Sequence, residues 1–205
     1  IVVFSCNNSG QKQSSDSENL SSYPKGSFGY DLNFLQEHDD SLILLGNDSE
    51  NAQVIVSAKF QAKVFTSTAD GNDGLSFGWV NYKAFAGAPN AHMNAYGGEN
   101  RIWLGPEGGK FSLFFKPDSQ MVFENWKTPV AYDTEPWTMT GKTGQSVTMK
   151  KDMHLLNYKG TEIDASMERS VTILNKEDIA KRTGLAPDTS IKSVAYQTNN
   201  IITNK

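Results

Sequence analysis

The groups best placed to do chemistry fall in one run, Tyr96-Gly-Gly-Glu-Asn-Arg-Ile-Trp-Leu-Gly-Pro-Glu-Gly-Gly-Lys-Phe-Ser-Leu-Phe-Phe115. Gly97 and Gly98 on one side, and Gly105, Gly108 and Gly109 on the other, require tight turns around Ile102 and Trp103. In an extended segment Arg101 and Trp103 share one side, while Asn100, Ile102 and Leu104 share the other. A fork of guanidinium donors beside a flat aromatic face suits a polyhydroxylated ligand, and carbohydrate is the expected class. The candidate ligand-binding residues are Arg101, Asn100, Trp103, Glu107, Trp79 and His92, the last being the one histidine close to this run in sequence. The competing structural readings pair Arg101 with Glu99 or Glu107 and place Trp79, Trp103 and Trp126 in a core.

Other reactive spacings fail on chemistry. Gly74-Leu-Ser-Phe-Gly78 has the letters of a serine nucleophile elbow, but such an elbow needs a strand before the serine and a helix after it. Here turn-formers precede Ser76 and a strand-like segment follows. Residues 105–112 place Lys110 after Gly109, yet the spacing is too short for a phosphate loop, and Phe111 stands where a magnesium-binding hydroxyl belongs. Residues 70–74 lack the ligand register and closing Glu of a calcium loop and read as a hairpin turn. Asp133 and Glu135, two apart on an extended edge, would face one way, whereas glycosidase acids flank a bond from opposite sides. They read as a solvated or Lys-paired edge. His38, His92 and His154 show no metal-ligand spacing, so no metal and no cofactor is implied.

The elements that must hold these groups are mainly strands. Tyr30, Leu32, Phe34 and Leu35, followed by Gln-Glu-His, fit a short helix. Residues 42–45, 53–57, 60–68, 75–85, 111–116, 146–149, 154–158, 168–174 and 191–202 read as strands separated by turn-formers. One clear helix interrupts them, with Asn175 as N-cap, residues 176–183 as its body and Gly184 as its stop. The expected fold class is mainly β, an antiparallel β-sandwich with one or two short helices.

The chain has 205 residues and a net charge of -4, with no basic patch of the kind that neutralises phosphates, so nucleic acid is not an expected partner. No apolar run approaches the roughly 20 residues that cross a bilayer. The single cysteine, Cys6, follows Val3-Phe4-Ser5 and precedes a polar tract rich in Ser, Asn, Gln, Asp and Glu. Residues 1–6 resemble the lipobox of a bacterial lipoprotein, which implies lipidation at Cys6 and a location in the cell envelope, anchored to a membrane. Residues 7–27 are then a tether too polar to offset its ordering entropy. The alternative for the first residues is a strand ending in a buried free thiol.

Two stretches carry a further resemblance. Gly98-Glu-Asn-Arg-Ile102 resembles the Asn-Arg-Ile strand of aldose 1-epimerases in the galactose mutarotase-like superfamily, and Val194-Ala-Tyr-Gln-Thr-Asn-Asn-Ile-Ile-Thr-Asn204 resembles the later strand ending in Thr-Asn. The longer run of residues 97–109 is similar to an uncharacterised family of Bacteroidetes lipoproteins thought to share that fold. The resemblance implies that residues 28–205 form the N-terminal part of a β-supersandwich holding a sugar in a groove, incomplete at its C-terminus, with Arg101 binding the sugar. The family's acid and base have no visible counterparts: no histidine lies between Arg101 and His154, and Lys205 stands where a histidine would follow Thr-Asn. Binding or processing of carbohydrate without a visible epimerase pair is therefore expected, and a non-catalytic structural or interaction lipoprotein of the envelope is the alternative.

Overall fold

The computed structural model describes residues 22–47, 51–185 and 190–205. Cys6, the lipobox and most of the tether lie outside them. The described chain is mostly β, with two antiparallel sheets and a few short helices. The first sheet has three strands in the order β1 (Ile43–Asn47), β2 (Ala52–Ser57) and β3 (Lys63–Thr68). The second has four, β4 (Thr138–Lys142), β5 (Ser146–Leu156), β6 (Glu162–Ile173) and β7 (Tyr196–Asn204). Four helices join them: α1 (Phe28–His38), α2 (Tyr82–Phe85), α3 (Val130–Asp133) and α4 (Lys176–Thr183). This is more helix than the one or two pieces expected from sequence.

Alternation along the strands decides which faces meet. Ile43, Leu45, Val54, Val56 and Val64 of the first sheet pack in one cluster with Val147, Met149, Met167 and Val171 of the second. The other face of the first sheet turns Ile55 and Phe65 onto Phe28, Leu32 and Leu35 of α1. The three-stranded sheet therefore lies between a helix and the second sheet, which explains why every residue of β3 is buried. Ser27 caps α1 by accepting from the Tyr30 amide, and Asp31 sits favourably in the first turn. At α4 the expected caps are present: Asn175 accepts from the Asp178 amide at 2.8 Å, and Gly184 ends the helix at φ +72°.

Three expected strands are absent. Residues 75–85 start beside β3, with Phe77 N donating to Ser67 O. The Gly78 amide then turns to the Thr66 hydroxyl instead of a ladder carbonyl, and the segment ends in α2. Residues 111–116 fail for a similar reason. Ser112 Oγ donates to Glu107 O and accepts from Phe114 N, so a side chain competes with ladder pairing. Around Ile102 only Asn100 makes a bridge, to Val64.

Gly97 and Gly98 set this last segment. A Cβ on Gly97, at φ +83°, would lie 2.1 Å from Trp79 O, and one on Gly98, at φ +105°, would lie 2.7 Å from Lys63 Cδ. Only glycine admits both the backbone angle and the close approach. The chain then leaves Gly98 against β3 and brings Arg101 close enough to Lys63 for the two cations to repel.

Candidate functional site

Arg101 reaches a short turn of helix rather than either glutamate near it in sequence. Its Nη2 donates to Tyr132 O at 2.9 Å and lies 3.6 Å from Asp133 Oδ1. Both partners come from α3, which Pro129 opens. The competing reading that paired Arg101 with Glu99 or Glu107 is corrected: Glu99 Oε1 accepts from the amide and hydroxyl of Ser67, and Glu107 Oε1 accepts from Trp103 Nε1 at 2.7 Å.

Asp133 is likewise not a solvated edge. It is 4 % exposed and accepts from Gln61 Nε2 at 2.7 Å, Asn94 Nδ2 at 2.8 Å and the Asn94 amide. The helical turn separates it from Glu135, which is Lys-paired as expected, 2.7 Å from Lys151 Nζ.

Trp103 does stand beside Arg101, with the guanidinium carbon 4.8 Å from the ring centroid, a cation–π contact. The indole is half-buried among Phe114, Trp126 and Tyr132 and points its Nε1 to the exposed Glu107. His92 joins the far end of this aromatic row, with Nδ1 2.6 Å from Trp126 O and its ring stacked on Phe123. Arg101, Trp103 and Glu107 thus come together, with His92 reached through Trp126. The other two do not join them. Asn100 turns its Oδ1 to Arg169, and Trp79 is a surface indole, 64 % exposed, tied to the segment through its carbonyl, which accepts from Gly98 N.

The site also contains Lys63 and Tyr132, which sequence reasoning passed over, and Asp133, which it had assigned to a solvated or Lys-paired edge. Lys63 is 3 % exposed, and its ammonium donates to Gly97 O. Tyr132 is 1 % exposed, and its hydroxyl has no hydrogen-bond partner among the described residues. Arg101 Nε is buried in the same condition. Burial pushes the Tyr132 hydroxyl well above its ordinary pKa against the opposing pull of Arg101, so it stays a donor at neutral pH. Ser76, by contrast, is fully used: its Oγ bonds the Thr66 hydroxyl and donates to Asp31, which also accepts from Tyr82. No histidine is hydrogen-bonded to it among the described residues, and its bonds hold α1 to β3.

The sequence model of one protein family, described as a family of unknown function (DUF6786), matches residues 26–205. The chain belongs to that family. The matched stretch begins just before α1 and contains every residue of the Arg101 site. No curated protein and no solved structure matches the chain. For this member of DUF6786, chemistry must therefore be read from the site itself.

The titration of Lys63 is the most distinctive property of that site. Burial, then repulsion from Arg101, lowers its pKa from 10.5 to about 7, with Asp133 opposing. A base whose pKa falls on folding binds fewer protons in the folded chain, so its contribution to stability is complete above the unfolded pKa and is lost as pH falls through the folded one. Urea unfolding should therefore show wild-type stability rising between pH 7 and about 10 relative to a Lys63→Met variant, with the difference levelling off below that window. Parallel profiles would place Lys63 in water.

Proposed function

We propose that the protein binds carbohydrate at the Arg101 site and is tethered to a membrane of the bacterial envelope through a lipid on Cys6. One observation carries the binding reading: Arg101 Nε and Tyr132 Oη are buried donors with no partner among the described residues, beside the exposed Glu107 carboxylate and the Trp103 indole. Leaving a buried donor unpaired costs about 1–3 kcal/mol, and a ligand oxygen placed between them recovers that cost. Sugar hydroxyls and ring oxygens supply such acceptors. Glu107 has a second carboxylate oxygen to accept from a sugar hydroxyl, and the tryptophan edge offers apolar contact.

The mutarotase-like β-supersandwich remains the preferred finer description. It is supported by the face-to-face core of the two sheets and by the position of the two resembling stretches, one carrying Arg101 and the other forming β7. Epimerisation is not part of the proposal. Proton transfer at an anomeric centre needs an acid and a base within reach of the sugar. The acid nearest Arg101, Asp133, is already engaged by Gln61, Asn94 and Arg101.

Calorimetric titration with galactose, glucose, mannose, xylose and their oligomers should reveal saturable binding. Arg101→Ala should weaken it at least about tenfold, the loss of one charge-assisted hydrogen bond, with the far-ultraviolet circular dichroism unchanged. Binding by none of these sugars, or equal affinity in the variant, defeats the reading. The tether is tested separately in the full-length precursor: a metabolic fatty-acid label should enter the wild type and be absent from Cys6→Ala.

A further inference from the structure

Apart from the Arg101 site, a cavity of about 330 Å³ opens between residues 113–119 and 124–130, with Leu156 also among its lining. Its walls are mainly apolar, from Leu113, Phe115, Pro117, Pro129 and Val130. It shares only Phe114 with the aromatic row behind Trp103. The volume is at the lower end of small-ligand pockets, which run from about 300 to 1,000 Å³.

Three polar features give this cavity chemistry. Thr128 is 6 % exposed and lines the cavity, and its Oγ1 is buried with no partner among the described residues. Its backbone is already committed, with the amide donating to His92 O at 2.8 Å, so the side chain is held in place while its hydroxyl remains unspent. Lys116 and Lys127 line the same cavity, and neither ammonium has a carboxylate partner among the described residues. Glu124 is the single acid among the lining residues, leaving a net charge of one positive. Two other lining donors are engaged: Ser119 Oγ donates to Lys116 O, and Asn125 Nδ2 donates to Gln120 O.

We infer that this cavity binds a small amphipathic monoanion, a medium-chain or aromatic carboxylate, whose apolar body fills the pocket while its carboxylate is received by Thr128 Oγ1 and the two lysines. Burial of the apolar body supplies most of the affinity, and the hydroxyl and the positive rim select the anion. A neutral chain of the same length leaves Thr128 with at most one weaker partner and gains nothing from the lysines. A cation meets net repulsion. The inference does not depend on the saccharide reading, because none of the donors invoked belongs to the Arg101 site.

The test is calorimetric titration with octanoate below its micelle concentration, alongside octanol and octylammonium. Octanoate should bind at least about fivefold more tightly than octanol, and octylammonium more weakly than either, as expected for a hydrogen bond to a charged group plus a partly screened rim. The double variant Lys116→Gln, Lys127→Gln should erase most of that preference while leaving octanol unchanged, and Thr128→Val should weaken octanoate about threefold or more. Val130 is 59 % exposed, so Val130→Trp plugs the mouth without disturbing the core and should abolish binding of all three. Equal affinity for octanoate and octanol, binding that survives Val130→Trp, or no binding of octanoate overturns the inference.

Discussion

A buried cation with no carboxylate partner among the described residues sets the arrangement of both sheets. Arg169, on β6, is 1 % exposed. Its Nε donates to Ala62 O and its Nη1 to Asn200 Oδ1, each at 2.8 Å, while Nη2 donates to Asn100 Oδ1. One guanidinium thus ties the entry to β3, the edge strand β7 and the segment before Arg101 to the middle of the second sheet. Burial lowers its pKa to about 10, with Tyr196 opposing, so it remains charged at neutral pH. A desolvated charge costs several kcal/mol unless its donors are satisfied, and here three neutral oxygens fixed by the fold satisfy them. Any displacement of Asn100 or β7 would expose that cost, which makes the geometry specific as well as stable.

The candidate site follows from that constraint. With Asn100 held towards Arg169, the next residue projects the other way, and Arg101 meets Tyr132 and Asp133. Gly98 lets the backbone press onto Lys63, which is then buried beside a second cation and gives up its proton near neutral pH. Two guanidinium groups on opposite sides of one short segment therefore have opposite fates. Arg169 has all three of its nitrogens hydrogen-bonded, while Arg101 keeps a buried Nε in reserve. That difference supports the proposal that Arg101 faces a ligand.

Local signals were legible in the sequence where a residue acts on its neighbours. Asn175 and Gly184 bounded α4 because caps act within a turn, and the pairing of Arg101 with Trp103 needed only a two-residue spacing. The Val- and Ile-rich runs of the first sheet were equally plain. Signals failed where a distant partner decides. The strand β4 has every residue exposed and no apolar alternation, so nothing in Thr138–Lys142 announces that it pairs with β5. Asp133 and Glu135 looked alike on an extended edge, yet Pro129 opens a helical turn that sends one into a buried network and the other to Lys151. The run at 111–116 is apolar enough for a strand, but Ser112 diverts its backbone bonds. The burial of Lys63 was invisible, because it depends on a glycine thirty-five positions away.

The central claim is that the Arg101 Nε–H is a donor awaiting a ligand oxygen. Nitrogen-edited magnetic resonance of the arginine side chains, with the Arg101 signal assigned by its loss in Arg101→Lys, reads that proton directly during titration with the tightest-binding sugar. The account predicts that this resonance shifts on saturation and that its exchange with water slows, while the Arg169 resonance stays in place. An Arg101 Nε–H signal unchanged when the protein is fully occupied would contradict it.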